Sequence, residues 1–193
     1  MSDAWLFLKE FARKPGQLGA VTPSGPRLAR AVVRAADLRD EHLIVELGAG
    51  TGPFTMAILA AVPSCSFVAF EPSDVLAARL RHMMPDLDVV ERYADELPAV
   101  LAERGHTHCD RVISGLPWAV FDEQMQRDTL KAVTECMQPD GVFITFQYIH
   151  SQVLPAARKF RGLLDERFGR IDKVHGSWRN VPPAFLFVCR EPR

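Results

Sequence analysis

The sequence predicts an α/β fold with a mostly parallel sheet, and three observations indicate it. Short apolar runs alternate with helix-like segments after about residue 35, a pattern typical of βαβ units. A glycine-rich turn follows the first apolar run, and an acidic residue closes the second. The chain also has a suitable size, because 193 residues with 48% hydrophobic side chains are enough for one domain with a full core.

Seven strands and six helices are expected from these runs. The predicted strands cover residues 42–47, 66–71, 87–91, 110–115, 141–148, 171–177 and 184–190. The predicted helices cover residues 25–36, 53–62, 73–83, 95–104, 122–137 and 155–168. Pro139-Asp140-Gly141 is a turn signal between a helix and the strand that follows it.

An amphipathic helix is expected over residues 3–14, before Pro15-Gly16 ends it. Its aromatic residues face away from its basic ones, which suits a membrane interface. The same face could instead pack on the domain itself or form a dimer contact. We expect one domain over residues 1–193, with a docking helix at 1–16 and a catalytic core at 17–193. The predicted membrane-binding residues are Trp5, Phe7, Leu8, Lys9, Phe11, Arg13 and Lys14.

The glycine turn reads Glu-Leu-Gly-Ala-Gly-Thr-Gly over residues 46–52, and Glu71 closes the next apolar run. Glycine lets the backbone turn sharply and lets a ligand lie against it. A dinucleotide fingerprint would need a further glycine where the chain has Pro53, and no phosphate loop is present. The turn resembles motif I of the Rossmann-like, S-adenosylmethionine-dependent methyltransferases, which implies a seven-stranded sheet with helices on both faces and an antiparallel last strand.

The resemblance implies a set of cofactor contacts around this turn and after the next strands. Glu71 could hydrogen-bond the ribose diol of S-adenosylmethionine. Asp95, after the third strand, stands where an acid of the family holds the adenine amino group, although it could equally cap a helix. The implied cofactor-binding residues are Glu46, Gly48, Ala49, Gly50, Gly52, Glu71, Pro72, Ala94, Asp95, Ser114 and Thr22.

The segment Ser114-Gly115-Leu116-Pro117-Trp118 resembles motif IV of amino-group methyltransferases. In that motif an Asn or Asp side chain and a backbone carbonyl accept hydrogen bonds from the target amine, while an aromatic ring stacks on a flat base. Here Ser114 replaces the Asn or Asp, and Gly115 is additional. Trp118 could instead make a cation–π contact with an ammonium group, or be a buried residue of a strand-ending turn.

Two terminal segments indicate a narrower family within these methyltransferases. Residues 19–24 read Gly-Ala-Val-Thr-Pro-Ser, and residues 178–184 read Trp-Arg-Asn-Val-Pro-Pro-Ala. With the amphipathic start, they resemble the small bacterial phospholipid N-methyltransferases. That resemblance implies methylation of phosphatidylethanolamine and its methylated intermediates towards phosphatidylcholine at an anionic membrane surface. It also implies that Thr22 or Ser24 could cap the next helix near the methionine end of the cofactor.

The acceptor amine must lose a proton before it can attack a methyl group. Lipid amines are protonated at neutral pH, so the site must favour the neutral form through desolvation or a base. Tyr148 and His150, at the end of the fifth predicted strand, are the candidates for this role. Each could instead be a packing residue at the strand end. The candidate catalytic residues are therefore Tyr148, Ser114, Trp118 and His150.

Charge is unevenly distributed along a chain of net charge −1. Residues 1–34 carry +4, residues 155–193 carry +5 and the middle carries −10. This asymmetry suggests an anionic partner for the two ends, although alternation by chance would look the same. No apolar run reaches the roughly 20 residues that span a bilayer. Together with four scattered cysteines, this favours a cytoplasmic protein. The amphipathic helix and the family resemblance imply peripheral attachment at the inner face of the cell membrane.

Two other functions remain open at this point. One is an RNA adenine N6-methyltransferase of the ribosomal RNA dimethylase type, disfavoured by the altered motif IV and a pI near 6.6, so nucleic acid is not an expected partner. The other is a cofactor-binding interaction module without catalysis.

No metal site is expected, because His106-Thr107-His108-Cys109 lies in a polar loop without a distant partner.

Overall fold

A computed structural model describes residues 25–177 and 183–193, apart from the side chains of His150 and of residues 175–177. The predicted N-terminal helix with its seven membrane-binding residues, and Thr22, lie outside the described residues. Residues 178–182 of the second terminal segment do so as well. The expectations for these residues stay predictions.

Seven strands form one sheet in the order β3-β2-β1-β4-β5-β7-β6. β7 runs antiparallel to both of its neighbours, β5 and β6, and the other neighbouring strands pair in parallel. The predicted seven-stranded, mostly parallel sheet is therefore confirmed. The strands are β1 (Leu43–Leu47), β2 (Ser66–Phe70), β3 (Asp88–Val90), β4 (Cys109–Ser114), β5 (Met137–Tyr148), β6 (Phe168–Ser177) and β7 (Ala184–Pro192).

In the described residues, six α-helices cover the two faces of the sheet, three on each face. The helices are α1 (Pro26–Ala36), α2 (Pro53–Ala61), α3 (Asp74–Met83), α4 (Leu97–Glu103), α5 (Glu123–Cys136) and α6 (Pro155–Arg167). Apolar residues of α1, α2 and α3 form one core cluster with the sheet, and those of α4, α5 and α6 form the other. β1 is buried at all five positions, as a central strand covered on both faces must be.

The strand register brings the loops that carry the site to one edge of the sheet. Leu47, the last residue of β1, pairs with the last residues of β2 and β4. Ser114 in turn pairs with Thr145 near the end of β5. The segments that follow β1, β2, β4 and β5 therefore emerge side by side, where ligands of open α/β sheets bind. We refer to this side of the sheet as the carboxyl edge.

Two features of the chain differ from the predicted pattern. The segment from Pro139 to Gly141 was expected to form a turn before a strand, but β5 begins at Met137, and its pairing with β4 shifts register across these residues. Short 3-10 helices also cover Ala94–Glu96 and Ile149–Val153. Within residues 25–177 and 183–193, no helix is both long and apolar enough to cross a bilayer.

Candidate functional site

The glycine turn between β1 and α2 has a backbone shape that only glycine adopts freely. Gly48, Gly50 and Gly52 have φ angles of 78°, 59° and 86°, in the left-handed region. The N–H groups of Gly48 and Ala49 donate to the Phe70 carbonyl at 2.9 and 3.0 Å, which ties the turn to β2. A Cβ added at Gly50 would meet nothing within 4 Å. The turn therefore presents bare backbone to open space at Gly50.

Inward-facing positions of the same turn are packed against the protein. A Cβ at Gly52 would lie 2.9 Å from Leu80 Cδ2 on α3. The Ala49 side chain is buried in the core, so its contribution to a ligand would come from the backbone. Pro53 occupies the first position of α2, where a missing N–H costs no helix hydrogen bond.

Gly115 packs directly against the glycine turn. Its N–H donates to the Leu47 carbonyl at 2.8 Å, and an added Cβ would lie only 2.6 Å from the Gly48 carbonyl oxygen. No side chain fits in that space. The glycine that is additional to motif IV thus lets the segment after β4 lie backbone to backbone on the segment after β1.

Glu71 connects the turn to the start of α3. Its Oε2 accepts a hydrogen bond from the Gly50 N–H at 2.7 Å, and its Oε1 accepts one from the Ser73 N–H at 3.0 Å. Burial raises the pKa of this carboxyl, and the two backbone donors oppose that rise. Each oxygen retains a further lone pair, so the carboxylate can still accept hydrogen bonds from a ligand diol. Pro72 is half-buried beside it.

Glu46 is fully buried two residues before the turn. Its Oε2 accepts a hydrogen bond of 2.6 Å from the Thr55 hydroxyl in the first turn of α2, whereas its Oε1 has no partner among the described residues. Burial raises the pKa of Glu46 to about 7; the Thr55 hydroxyl opposes the rise and the Glu71 charge adds to it. A buried carboxyl oxygen without a partner is available for a hydrogen bond from a ligand donor.

Ala94 and Asp95 lie at the same edge, after β3. Asp95 is exposed within the 3-10 helix Ala94–Glu96, which begins after Tyr93. The residue that precedes α4 is Glu96, so the alternative in which Asp95 caps that helix is wrong. Ala94 packs against the core beside it. The exposed carboxylate is therefore left for other contacts at this edge.

Trp118 of motif IV is buried in the core. Its ring is 1% exposed and stacks on Phe160 of α6 at a centroid distance of 4.3 Å. Its indole N–H donates to the Ser114 hydroxyl at 3.0 Å, and the Leu116 N–H donates to the same oxygen at 3.3 Å. The two side chains are buried and hydrogen-bonded to each other, which disfavours the cation–π contact of Trp118; the acceptor role of Ser114 stays a prediction. The alternative of a buried Trp in a strand-ending turn is the observed one.

Gln126 on α5 holds this segment in place and was not among the predicted residues. It is fully buried, and its Nε2 donates to the carbonyls of Trp118, Phe121 and Ala156 at 2.7, 3.4 and 3.1 Å. It thereby joins the loop after β4 to the first turn of α6. A glutamine on a helix carries no sequence signal for such a role. Only the fold shows that three chain segments converge on it.

Tyr148 lies at the carboxyl end of β5 as expected, but on the opposite face of the sheet from Trp118. It is 7% exposed, and its ring contacts Phe146 edge-on at 5.4 Å within the cluster formed by α1, α2 and α3. Both the packing role and a role at the edge fit this place. The backbone of His150 lies in the 3-10 helix that follows, and its side chain is outside the described residues.

Comparisons with known proteins point to methyltransferases. The ornithine lipid N-methyltransferase of Singulisphaera acidiphila is 34% identical over 194 residues, which cover 98% of this chain and 97% of that protein. The ribosomal RNA small subunit methyltransferase A of Thermotoga maritima is 30% identical over 123 residues, covering 63% of this chain and 42% of that protein. No protein-family profile matches the chain.

A solved structure supports the fold. The TehB-like S-adenosylmethionine-dependent methyltransferase of Corynebacterium glutamicum superposes with a TM-score of 0.65 at 11% identity, over 97% of both chains. At this identity the similarity concerns the fold alone. Among the sequence relatives, the ornithine lipid enzyme is matched along nearly its whole length. The ribosomal RNA enzyme is matched along less than half of its own length.

Proposed function

Because the chain belongs to the bacterial lipid N-methyltransferase family, within the class I S-adenosylmethionine-dependent enzymes, we propose that it methylates phosphatidylethanolamine and its methylated intermediates towards phosphatidylcholine. The full-length match to a lipid amine methyltransferase carries this proposal. We further propose that the reaction takes place at the inner face of the cell membrane, with residues 1–16 as the docking helix and 17–193 as the catalytic core.

S-adenosylmethionine is the cofactor, and the residues at the carboxyl edge fit it. The open backbone at Gly50 would lie against the cofactor, and Glu71 would accept hydrogen bonds from its ribose diol. The unpartnered Oε1 of Glu46 would accept a hydrogen bond from its amino group. Bound S-adenosylmethionine supplies an electrophilic methyl group on a positively charged sulfur. Thr22, Ala94 and Asp95 complete the proposed cofactor contacts.

The acceptor amine must be brought to the carboxyl edge in its neutral form. Desolvation there lowers the pKa of an alkyl ammonium and so releases its proton more readily. We assign to Tyr148 an orienting or proton-accepting role, with His150 as the second candidate. Positioning the nitrogen beside the methyl group should supply much of the rate gain. A Tyr148→Phe enzyme that retained full turnover would remove Tyr148 from this role.

Ornithine lipid is a second candidate acceptor. The observation in its favour is the 34% identity over nearly the full length of an enzyme named for that lipid. Phosphatidylethanolamine presents a primary alkyl amine near its phosphate, and ornithine carries a primary alkyl amine on its side chain. The chemistry at the nitrogen is therefore the same, and the acceptor has to be identified by experiment.

Labelled S-adenosylmethionine, offered with vesicles of either lipid or with total RNA, tests the proposal. We expect label in phosphatidylethanolamine products, identified by chromatography. A Gly50→Val enzyme serves as the control, since a branched side chain at φ 59° is strained and fills the open face. Label confined to ornithine lipid would select the second candidate. Label confined to RNA would overturn both, and no turnover on any acceptor would favour a binding module.

A further inference from the structure

An apolar surface lies exposed where β5 leads into α6. The 3-10 helix Ile149–Val153 and the residue after it carry three large apolar side chains: Ile149 is 37% exposed, Val153 68% and Leu154 41%. Lys173 of β6 reaches the same place, since its ammonium lies 3.4 Å from Oε1 of Gln152. We define the β5–α6 surface as Ile149, Val153, Leu154 and Lys173.

Lys173 has an environment that suits an external anion. Its ammonium lies 4.0 Å from the centroid of the Phe185 ring and 5.9 Å from that of Phe187. No carboxylate within residues 25–177 and 183–193 pairs with it. Glu123 of α5 forms ion pairs with Lys159 of α6 at 2.7 Å and with Arg127 at 3.0 Å, so its negative charge is already balanced. The positive charge at this surface is thus held in place and uncompensated.

The position of the surface relates it to the proposed reaction. The 3-10 helix follows the last residue of β5, so it lies at the carboxyl edge. Gln126 joins the loop after β4 to Ala156, two residues beyond Leu154. Lys173 is on β6, four strands from β1, which at about 4.8 Å per strand amounts to roughly 19 Å.

We propose that the β5–α6 surface docks on an anionic lipid membrane and so presents the carboxyl edge to its lipid substrate. This inference rests on the proposed function. Apolar side chains that are exposed in water gain free energy when they enter the headgroup boundary, and a neighbouring lysine gains from anionic lipid. The surface combines both features beside the loop that leads to the proposed acceptor site. It acts in addition to the predicted N-terminal helix.

Vesicle co-sedimentation of the full chain tests the docking surface. Val153→Ser/Leu154→Ser should weaken binding to vesicles of phosphatidylcholine with phosphatidylglycerol by about tenfold. Lys173→Gln should weaken it by about fivefold on these vesicles and leave binding to pure phosphatidylcholine unchanged. Val75→Ser is the matched apolar control, because Val75 is 69% exposed on α3. Lys131→Gln is the matched charge control, on the exposed side of α5.

Turnover on substrate lipid dispersed in neutral detergent separates this inference from the proposed function. We expect the docking variants to keep normal turnover there, which also shows that they fold. Variants that bind anionic vesicles as strongly as the two controls would overturn the docking surface. A wild-type enzyme that methylates no lipid in detergent would instead overturn the proposed function. Weaker binding to neutral and anionic vesicles alike by Lys173→Gln would contradict the role assigned to its charge.

Discussion

Single residues in and beside the glycine turn set the geometry of the proposed site, and Gly115, which packs against the turn, is tightly constrained. An added methyl group would lie 2.6 Å from the Gly48 carbonyl oxygen, which is backbone and cannot move aside. We expect Gly115→Ala to lower the free energy of unfolding by about 1–3 kcal/mol and to weaken S-adenosylmethionine binding. Chemical denaturation and titration calorimetry would measure the two effects.

Gly162 provides the control for this substitution. It lies within α6, and an added Cβ there would meet nothing within 4 Å. Gly162→Ala should therefore stabilise the protein by up to about 1 kcal/mol, because alanine favours the helix. Equal effects of the two substitutions would contradict the backbone contact between the two turns.

Glu46 makes stability depend on pH. Its pKa is about 7 in the folded protein against 4.5 ordinarily, so the folded chain binds an extra proton between these values. The stability that it contributes is fully present below the lower value and is lost as the pH rises to the upper one. Glu46→Gln stays neutral throughout. Its free energy of unfolding, relative to wild type, should rise by about 2–3 kcal/mol between about pH 5 and pH 8. Parallel pH profiles for the two proteins would contradict the raised pKa.

At the scale of secondary-structure elements, Gln126 joins the loop after β4 to α5 and α6. Gln126→Leu leaves two buried carbonyls and one partly buried carbonyl without this donor, so we expect a loss of about 2–3 kcal/mol in the free energy of unfolding and lower turnover. Thermal unfolding and methyl-transfer assays would measure both. Gln124→Leu is the control, because the Gln124 side chain is exposed and donates to the Asp128 carboxylate on the same helix. A Gln126→Leu protein as stable as that control would show that the carbonyls find other partners.

Most elements could be predicted because buried parallel strands read as short apolar runs. β1 and β2 were each predicted within one residue at either end, and the loops at the carboxyl edge follow from strand order. The start of β5 could not be predicted, since Pro139 to Gly141 carry a turn signal that the chain accommodates as a register shift. The burial of Trp118 could not be decided from the sequence for a different reason. Whether a ring at a strand end faces a ligand or the core depends on Phe160, which lies far away in sequence.

At the scale of the whole molecule, the unequal distribution of charge leads to a prediction about the N-terminus. Residues 1–34 and 155–193 carry +4 and +5, and the middle carries −10. Deleting residues 2–14 removes aromatic and basic side chains together, so we expect binding to anionic vesicles to fall by more than tenfold. The unfolding temperature should change little. Co-sedimentation and thermal unfolding measure these, and unchanged vesicle binding would remove the helix from membrane docking.

The burial of Trp118 has a consequence for the shape of the acceptor. An enzyme that binds a flat nucleobase relies on an aromatic ring that stacks parallel to the base. In this chain the Trp118 ring is stacked on Phe160 inside the core, so the described residues of motif IV offer no exposed aromatic ring for stacking. A tetrahedral nitrogen that grows by one methyl group at each turnover expands in all directions. Such a nitrogen is accommodated more easily by a binding pocket without a fixed aromatic wall than by a narrow, flat pocket.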